Sequence, residues 1–313
     1  MEVRLTDIEY SRAGDFVLKV PRLTFREGRV TALIGPNGSG KSTLLRLISG
    51  LAKPRTGSVS FRGTASDNGS STANNVAFAF QESVFLRGTL RSNLDMALRL
   101  SGVGRDERAA RIVDASDACG IGALLDRDAH QLSGGEARRA NLARTLALRA
   151  PVTLLDEPLA GLDGPARRQL LHELPGLLAA FASTTILVTH DRDEALHLAD
   201  DIVVLLEGRV RAEGAKADIF LRPPNPETAE FLGFTVLNLG QETVAVAPGA
   251  FRPGTGDVEF EFAFDRLADL GTRREIVGRV AGTLVTAVVE GSLDGPWPIV
   301  SAPEVAITRF PHI

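Results

Sequence analysis

Gly35-Pro36-Asn37-Gly38-Ser39-Gly40-Lys41-Ser42 is a glycine-spaced loop that closes on Lys-Ser, with Thr43 directly after it. Before it, Val30, Ala32, Leu33 and Ile34 form a mostly apolar run suited to a buried strand. After it, Leu44, Leu45, Leu47 and Ile48 fall at helical spacing until Gly50 stops the pattern. A strand, a glycine loop and a helix in this order let the backbone turn its N–H groups inward around phosphate oxygens. The helix N-terminus adds a positive end. In this reading the Lys41 ammonium reaches the β- and γ-phosphates of a nucleotide, and the Ser42 hydroxyl ligates Mg²⁺.

Further along, Pro151-Val152-Thr153-Leu154-Leu155-Asp156-Glu157-Pro158 is an apolar strand with two acids at its carboxyl end. Open α/β sheets bind ligands at that end. Asp156 is placed to hold Mg²⁺, mainly through water, and Glu157 to polarise a water attacking the γ-phosphate. Gln81 follows the strand pattern 76–80, where a neutral amide can touch Mg²⁺ or that water. His190 follows the strand pattern 185–189, where an imidazole can contact the γ-phosphate. Taken alone, each would read as an ordinary surface or structural residue. Ser133-Gly134-Gly135 precedes a helical pattern over 136–148 and offers free N–H groups to an anion.

These residues, in this order, resemble the ATP-binding subunits of ABC transporters. Residues 35–42 match Walker A and Gln81 the Q-loop. Leu132-Ser133-Gly134-Gly135-Glu136 matches the signature and residues 154–157 Walker B. Ala160-Gly161-Leu162-Asp163 matches the D-loop and Thr189-His190 the H-loop. The resemblance implies ATP and Mg²⁺ as ligands and a head-to-tail dimer. Ser133, Gly134 and Gly135 of one copy would meet the γ-phosphate held by Lys41 of the other, with Asp163 linking the two sites. Glu136 stands where the family most often has Gln. The family's adenine-stacking aromatic falls on Arg12 by spacing, with Tyr10 two residues earlier on the same strand face, so that Arg12, Tyr10 or neither stacks on the base.

The expected fold is an α/β P-loop NTPase domain over residues 1–222 with an inserted helical subdomain at about 82–140. A linker at 223–234 and a small β-rich, OB/TOBE-like regulatory domain at 235–313 follow. Helical patterns are expected over 90–125, 165–180 and 193–199, and strands over 152–155 and 202–206. In the tail, Val258, Phe260, Phe262 and Phe264 alternate as one face of a strand.

The chain has 313 residues, 44% of them apolar and 24% charged, with a net charge of -4. This balance does not suggest a nucleic-acid partner. The lone Cys119 reads as a packing residue in a reducing compartment. No signal peptide starts the chain, and no stretch approaches the ~20 apolar residues of a membrane span. The resemblance therefore implies separate permease subunits, a second ATPase copy, a solute-binding protein, and a peripheral place on the cytoplasmic face of the inner membrane. Phe85 and Leu86, in the insert after Gln81, are the expected permease contact. The standalone ATPase with a β-rich tail looks like an importer subunit, loosely closest to tungstate and molybdate systems. An exporter ATPase and a soluble non-transport ABC ATPase are the alternatives.

Overall fold

The structure is a computed structural model and describes residues 1–11, 17–62, 75–269, 274–289 and 297–311. The chain divides into two compact units, Met1–Lys216 and Ala217–Ile313.

The first unit is built on β1 (Glu2–Ser11), β2 (Val17–Phe25), β3 (Val30–Ile34), β4 (Thr56–Arg62), β5 (Val76–Ala79), β6 (Val152–Asp156), β7 (Thr184–Thr189), β8 (Asp201–Leu206) and β9 (Arg209–Ala215). They form one sheet in the order β4-β1-β2-β9-β8-β3-β7-β6-β5. The run β8-β3-β7-β6-β5 is parallel. Its central members β6 and β7 are buried at every residue, which fits their apolar and threonine sequences up to Asp156 at the end of β6. β1 and β2 pair as an antiparallel hairpin with Val3 opposite Phe25.

The helices are α1 (Lys41–Ile48), α2 (Leu90–Leu100), α3 (Arg105–Ala118), α4 (Gly134–Leu146), α5 (Gly164–Phe181) and α6 (Arg192–Leu198). The helical stretch expected over 90–125 is not one helix. Gly102 and Gly120, at φ 79° and 69°, end α2 and α3 in the left-handed region that glycine enters without steric cost. Cys119 is buried at the end of α3, and burial pushes its thiol up to about 12, so it packs as a small apolar group.

The second unit begins within α7 (Lys216–Leu221) and continues with α8 (Pro226–Phe231), which lies inside the stretch read as a linker. The Asn225 side chain caps α8 by accepting from Thr228 N–H at 2.8 Å. The strands are β10 (Thr235–Asn238), β11 (Glu242–Val246), β12 (Arg252–Pro253), β13 (Val258–Glu261), β14 (Ala263–Asp269), β15 (Arg274–Val280), β16 (Thr283–Val289), β17 (Ile299–Ala302) and β18 (Ile307–Pro311). They form three three-stranded sheets, β10-β11-β18, β12-β17-β13 and β14-β15-β16, around one core that includes Leu237, Phe251, Phe260 and Ile276.

The single strand expected over 258–264 is broken at Phe262. β13 pairs with β17 and β14 with β15, so the chain changes partners at that residue. Phe262 turns its N–H to Pro298 O at 2.8 Å. Its ring occupies the space over Gly278, where any Cβ would come within 2.5 Å of it. Phe260 and Phe262 are buried, but Phe264 is 46% exposed and leans on Trp297 with ring centroids 5.4 Å apart.

Candidate nucleotide site

The four strands β3, β7, β6 and β5 are consecutive neighbours and all parallel. Their carboxyl ends therefore lie side by side. The glycine loop leaves β3, His190 follows β7, Asp156 ends β6 with Glu157 next, and Gln81 lies just beyond β5.

The loop is shaped by its glycines. Gly38 and Gly40 sit at φ 82° and 107°. A Cβ at Gly35 would meet Leu205 O at 2.1 Å and Ser39 Oγ at 2.9 Å. Gly35→Ala is thus expected to push the loop off β8. A thermal melt should report a loss of about 1–3 kcal/mol, as for other overpacked sites. Nucleotide titration should show weakened binding beyond what the unfolded fraction explains.

Lys41 is buried and its Nζ donates to Gly35 O and Pro36 O, each at 2.9 Å, so the ammonium is held inside the loop. Burial lowers its pKa, and the charges of Glu157 and Asp156 oppose that shift. No side chain caps α1, whereas α2, α4, α5 and α6 are capped by Thr89, Ser133, Asp163 and Asp191. The first-turn N–H groups of α1 are therefore left for an anion. Ser39 Oγ, buried in the same loop, has no hydrogen-bond partner. An uncapped helix start, an enclosed ammonium and an orphaned hydroxyl fit a chain of phosphates.

Ser42 Oγ donates to Asp156 Oδ1 at 3.1 Å. Burial raises the Asp156 pKa, and the Ser42 hydrogen bond opposes it. Among the described residues no cluster of three or more His, Cys, Asp or Glu could hold a metal. One hydroxyl and one carboxylate instead suit Mg²⁺, which keeps waters and takes substrate phosphates as further ligands.

Glu157 gathers the remaining groups. Gln81 Nε2 donates to its Oε2 at 3.2 Å, and His190 Nδ1 lies 3.1 Å from its Oε1. Its backbone sits at φ 47°, a left-handed conformation costly for a non-glycine residue, and its N–H donates to Val188 O at 3.0 Å. Such strain persists where the surroundings over-determine it.

Ser133 and Glu136 form a reciprocal capping box at the start of α4. Ser133 N–H donates to Glu136 Oε2 at 2.8 Å and Ser133 Oγ accepts from Glu136 N–H at 3.4 Å. The Ser133 N–H, then the Ser133 hydroxyl, hold the Glu136 carboxyl below the usual carboxylate range. Glu136 also pairs with Arg127 at 3.5 Å. Ser133 and Gly134 are exposed. Asp163 caps α5, with Oδ1 accepting from Ala166 N–H at 2.8 Å.

Sequence reasoning missed two arginines here. Arg167, one turn beyond Asp163, donates to Glu194 Oε1 through Nε (3.0 Å) and Nη2 (2.8 Å) and to Asp191 Oδ2 at 2.5 Å. Glu194 in turn accepts from Thr189 Oγ1. The residues flanking His190 are thereby fixed to α5. Arg138, on α4, reaches the backbone before Gln81 and before Gly161. No motif pattern marks either residue; only the lone positions of arginines close to motifs hint at them. Of the two adenine candidates, Tyr10 is half-buried against the core and Arg12 lies outside the described residues.

Residues 18–160 match the family model described as ABC transporter. The chain is 38% identical to the sulfate/thiosulfate import ATP-binding protein CysA of Thermosynechococcus vestitus, over 74% of this chain and 70% of that one. It is 30% identical to the sn-glycerol-3-phosphate import ATP-binding protein UgpC 2 of Rhizobium johnstonii, over 94% of this chain and 91% of that one. The chain belongs to the import-type ATP-binding subunits of ABC transporters. Proteins of this family bind and hydrolyse ATP. A solved dimeric ATP-binding cassette in a post-hydrolysis state, bound to ADP and Pi, superposes on 68% of this import subunit and 98% of its own chain. Its TM-score is 0.58 at 26% identity.

In this import subunit the apolar segment after Gln81 differs from expectation at one position. Phe85 is not a surface residue: it is 8% exposed, with the Arg144 guanidinium 4.9 Å from its ring centroid. The exposed pair is Val84 and Leu86, at 65% and 62%. An apolar side chain beside a neighbouring helix is drawn under it, and alternate residues of an extended segment then face water. The two border a groove of about 420 Å³ with Phe80, Met96 and Leu100.

Proposed function

We propose that this ATPase works as a head-to-tail dimer that powers solute uptake through a separate permease. The observation that supports it most is the convergence of Gln81, Glu157 and His190 at adjacent strand ends next to the Lys41 loop. Gly35, Pro36, Asn37, Gly38, Ser39 and Gly40 wrap the phosphates, with Lys41, Ser42 and Thr43 at the start of α1. Lys41 neutralises the β- and γ-phosphates. Ser42 and Asp156, with Gln81, would hold Mg²⁺, which would supply charge neutralisation of the phosphate oxygens. Glu157 accepts a proton from the attacking water, and His190 keeps that water and the γ-phosphate in line. Ser133, Gly134 and Gly135 close over the γ-phosphate of the other copy, Glu136 locks the turn that presents them, and Asp163 joins the two sites.

Among the described residues no helix is long and apolar enough to cross a membrane. A peripheral position at the cytoplasmic face of the inner membrane, docked on permease subunits, accounts for the exposed Val84–Leu86 edge. A solute-binding protein completes the system, and the solute class is an oxyanion such as tungstate or molybdate, in keeping with a sulfate/thiosulfate-importing relative. We place oxyanion recognition outside this chain's tail. The tail cavity of about 330 Å³ is lined by Glu242, Glu259 and Glu261, and its Arg309 is ion-paired with Glu242 and Glu304.

The test is Val84→Asp with Leu86→Asp in cells that depend on this subunit for oxyanion uptake. Two desolvated charges at a docking patch should reduce uptake more than about tenfold, while ATPase activity of the purified chain stays at the parent level. Undiminished uptake would remove this edge as the permease contact.

A further inference from the structure

Arg138 lies in the second turn of α4, five residues beyond Ser133, and is buried despite its charge. Its Nη2 donates to Ala160 O at 2.8 Å and its Nη1 to Phe80 O at 3.5 Å. Asn141, three residues on, donates to the same Phe80 O at 3.0 Å. Arg144, three further, donates to Asn141 Oδ1 at 2.8 Å and to Val84 O at 2.7 Å. These side chains form a rail along α4 that grips the backbone on both sides of Gln81.

Both carbonyls held by Arg138 are close to Glu157 in the chain or through one bond. Phe80 precedes Gln81, whose amide donates to the Glu157 carboxylate. Ala160 donates its N–H to Glu157 O at 3.1 Å and opens the turn that ends at Asp163. Burial lowers the Arg138 pKa, while Glu157 and then Asp156 attract its charge.

We propose that Arg138 is a positioning residue that ties the signature turn, which serves the other copy's ATP, to the hydrolytic Glu157 of its own copy. The tie rests on the two-subunit reading given above. α4 presents Ser133–Gly135 at one end and clamps Phe80 O and Ala160 O a turn later. When that turn engages a γ-phosphate, the clamp sets Gln81 and the backbone after Glu157. A planar guanidinium makes its two bonds in a fixed fork, which a lysine ammonium lacks.

The experiment uses the full chain with Arg138→Gln, Arg138→Lys, and Arg138→Gln combined with Glu157→Gln. Arg138→Gln should lower kcat about tenfold or more while the KM for ATP moves less than about twofold, the signature of an interaction made chiefly in the transition state. Arg138→Lys should recover part of that loss. The double variant should need roughly tenfold more Mg-ATP than Glu157→Gln to dimerise in size-exclusion chromatography. Parent-level kcat in Arg138→Gln overturns the proposal. So does a loss of activity that matches the lost folded fraction in a thermal melt, or dimerisation of the double variant at the parent's ATP level. If Glu157→Gln itself binds ATP and stays monomeric, the two-subunit reading fails, and the Arg138 tie fails with it.

Discussion

Glu157→Gln is expected to bind Mg-ATP, accumulate as a closed dimer and turn over about a thousandfold more slowly, within the range attributed to a positioned general base. The substitution is nearly isosteric. The amide oxygen can still accept one of the bonds that Gln81 and His190 now direct at the carboxylate. What is lost is the capacity to take a proton from water. Binding-driven closure is preserved while the release step is removed, so the dimer is trapped. Phosphate release and size-exclusion chromatography with and without Mg-ATP check it together. Turnover near the parent rate would exclude Glu157 as the base. ATP bound without a dimer would overturn the two-subunit reading.

Lys41→Ala acts on a different step. The ammonium is poised inside the loop by Gly35 O and Pro36 O, and burial already disfavours its charge. An anion entering the loop relieves that cost, so the lysine contributes to affinity as well as to reaction. Hydrogen bonds to charged groups contribute about 1.5–3 kcal/mol each, which places the expected loss of ATP affinity at roughly 10- to 100-fold or more. Isothermal titration of the purified chain reads it directly. Affinity within twofold of the parent would mean that the α1 N-terminus and the loop N–H groups carry the binding alone. The two variants should therefore separate cleanly, with Lys41→Ala failing to bind and Glu157→Gln failing to let go.

The nucleotide half of the chain was legible because its motifs sit where backbone geometry is least negotiable. Loop glycines, strand-end acids and helix caps each leave a local pattern, and the buried strands read as continuous apolar runs. Arg138 and Arg167 were not legible, because their partners are backbone carbonyls and acids that only the folded chain brings near. Phe85 was misplaced for a related reason: whether an apolar residue after Gln81 faces water depends on α4 and on Arg144, 59 residues further along the chain. In the tail, alternation over 258–264 predicted one strand face. The opening over Gly278 that admits Phe262 is a tertiary feature and leaves no mark in that heptapeptide.

The adjacency of β3, β7, β6 and β5 has a mechanical consequence. Strands sharing a ladder lie about 4.8 Å apart and cannot slide without breaking every bond between them. The loop, His190 and the Asp156–Glu157 pair are bolted to that ladder as parts of a stator. Gln81 stands two residues beyond the end of β5, gripped through Phe80 by the helical insert. A displacement of the helical insert would therefore reach Glu157 through the segment around Gln81 rather than through the sheet.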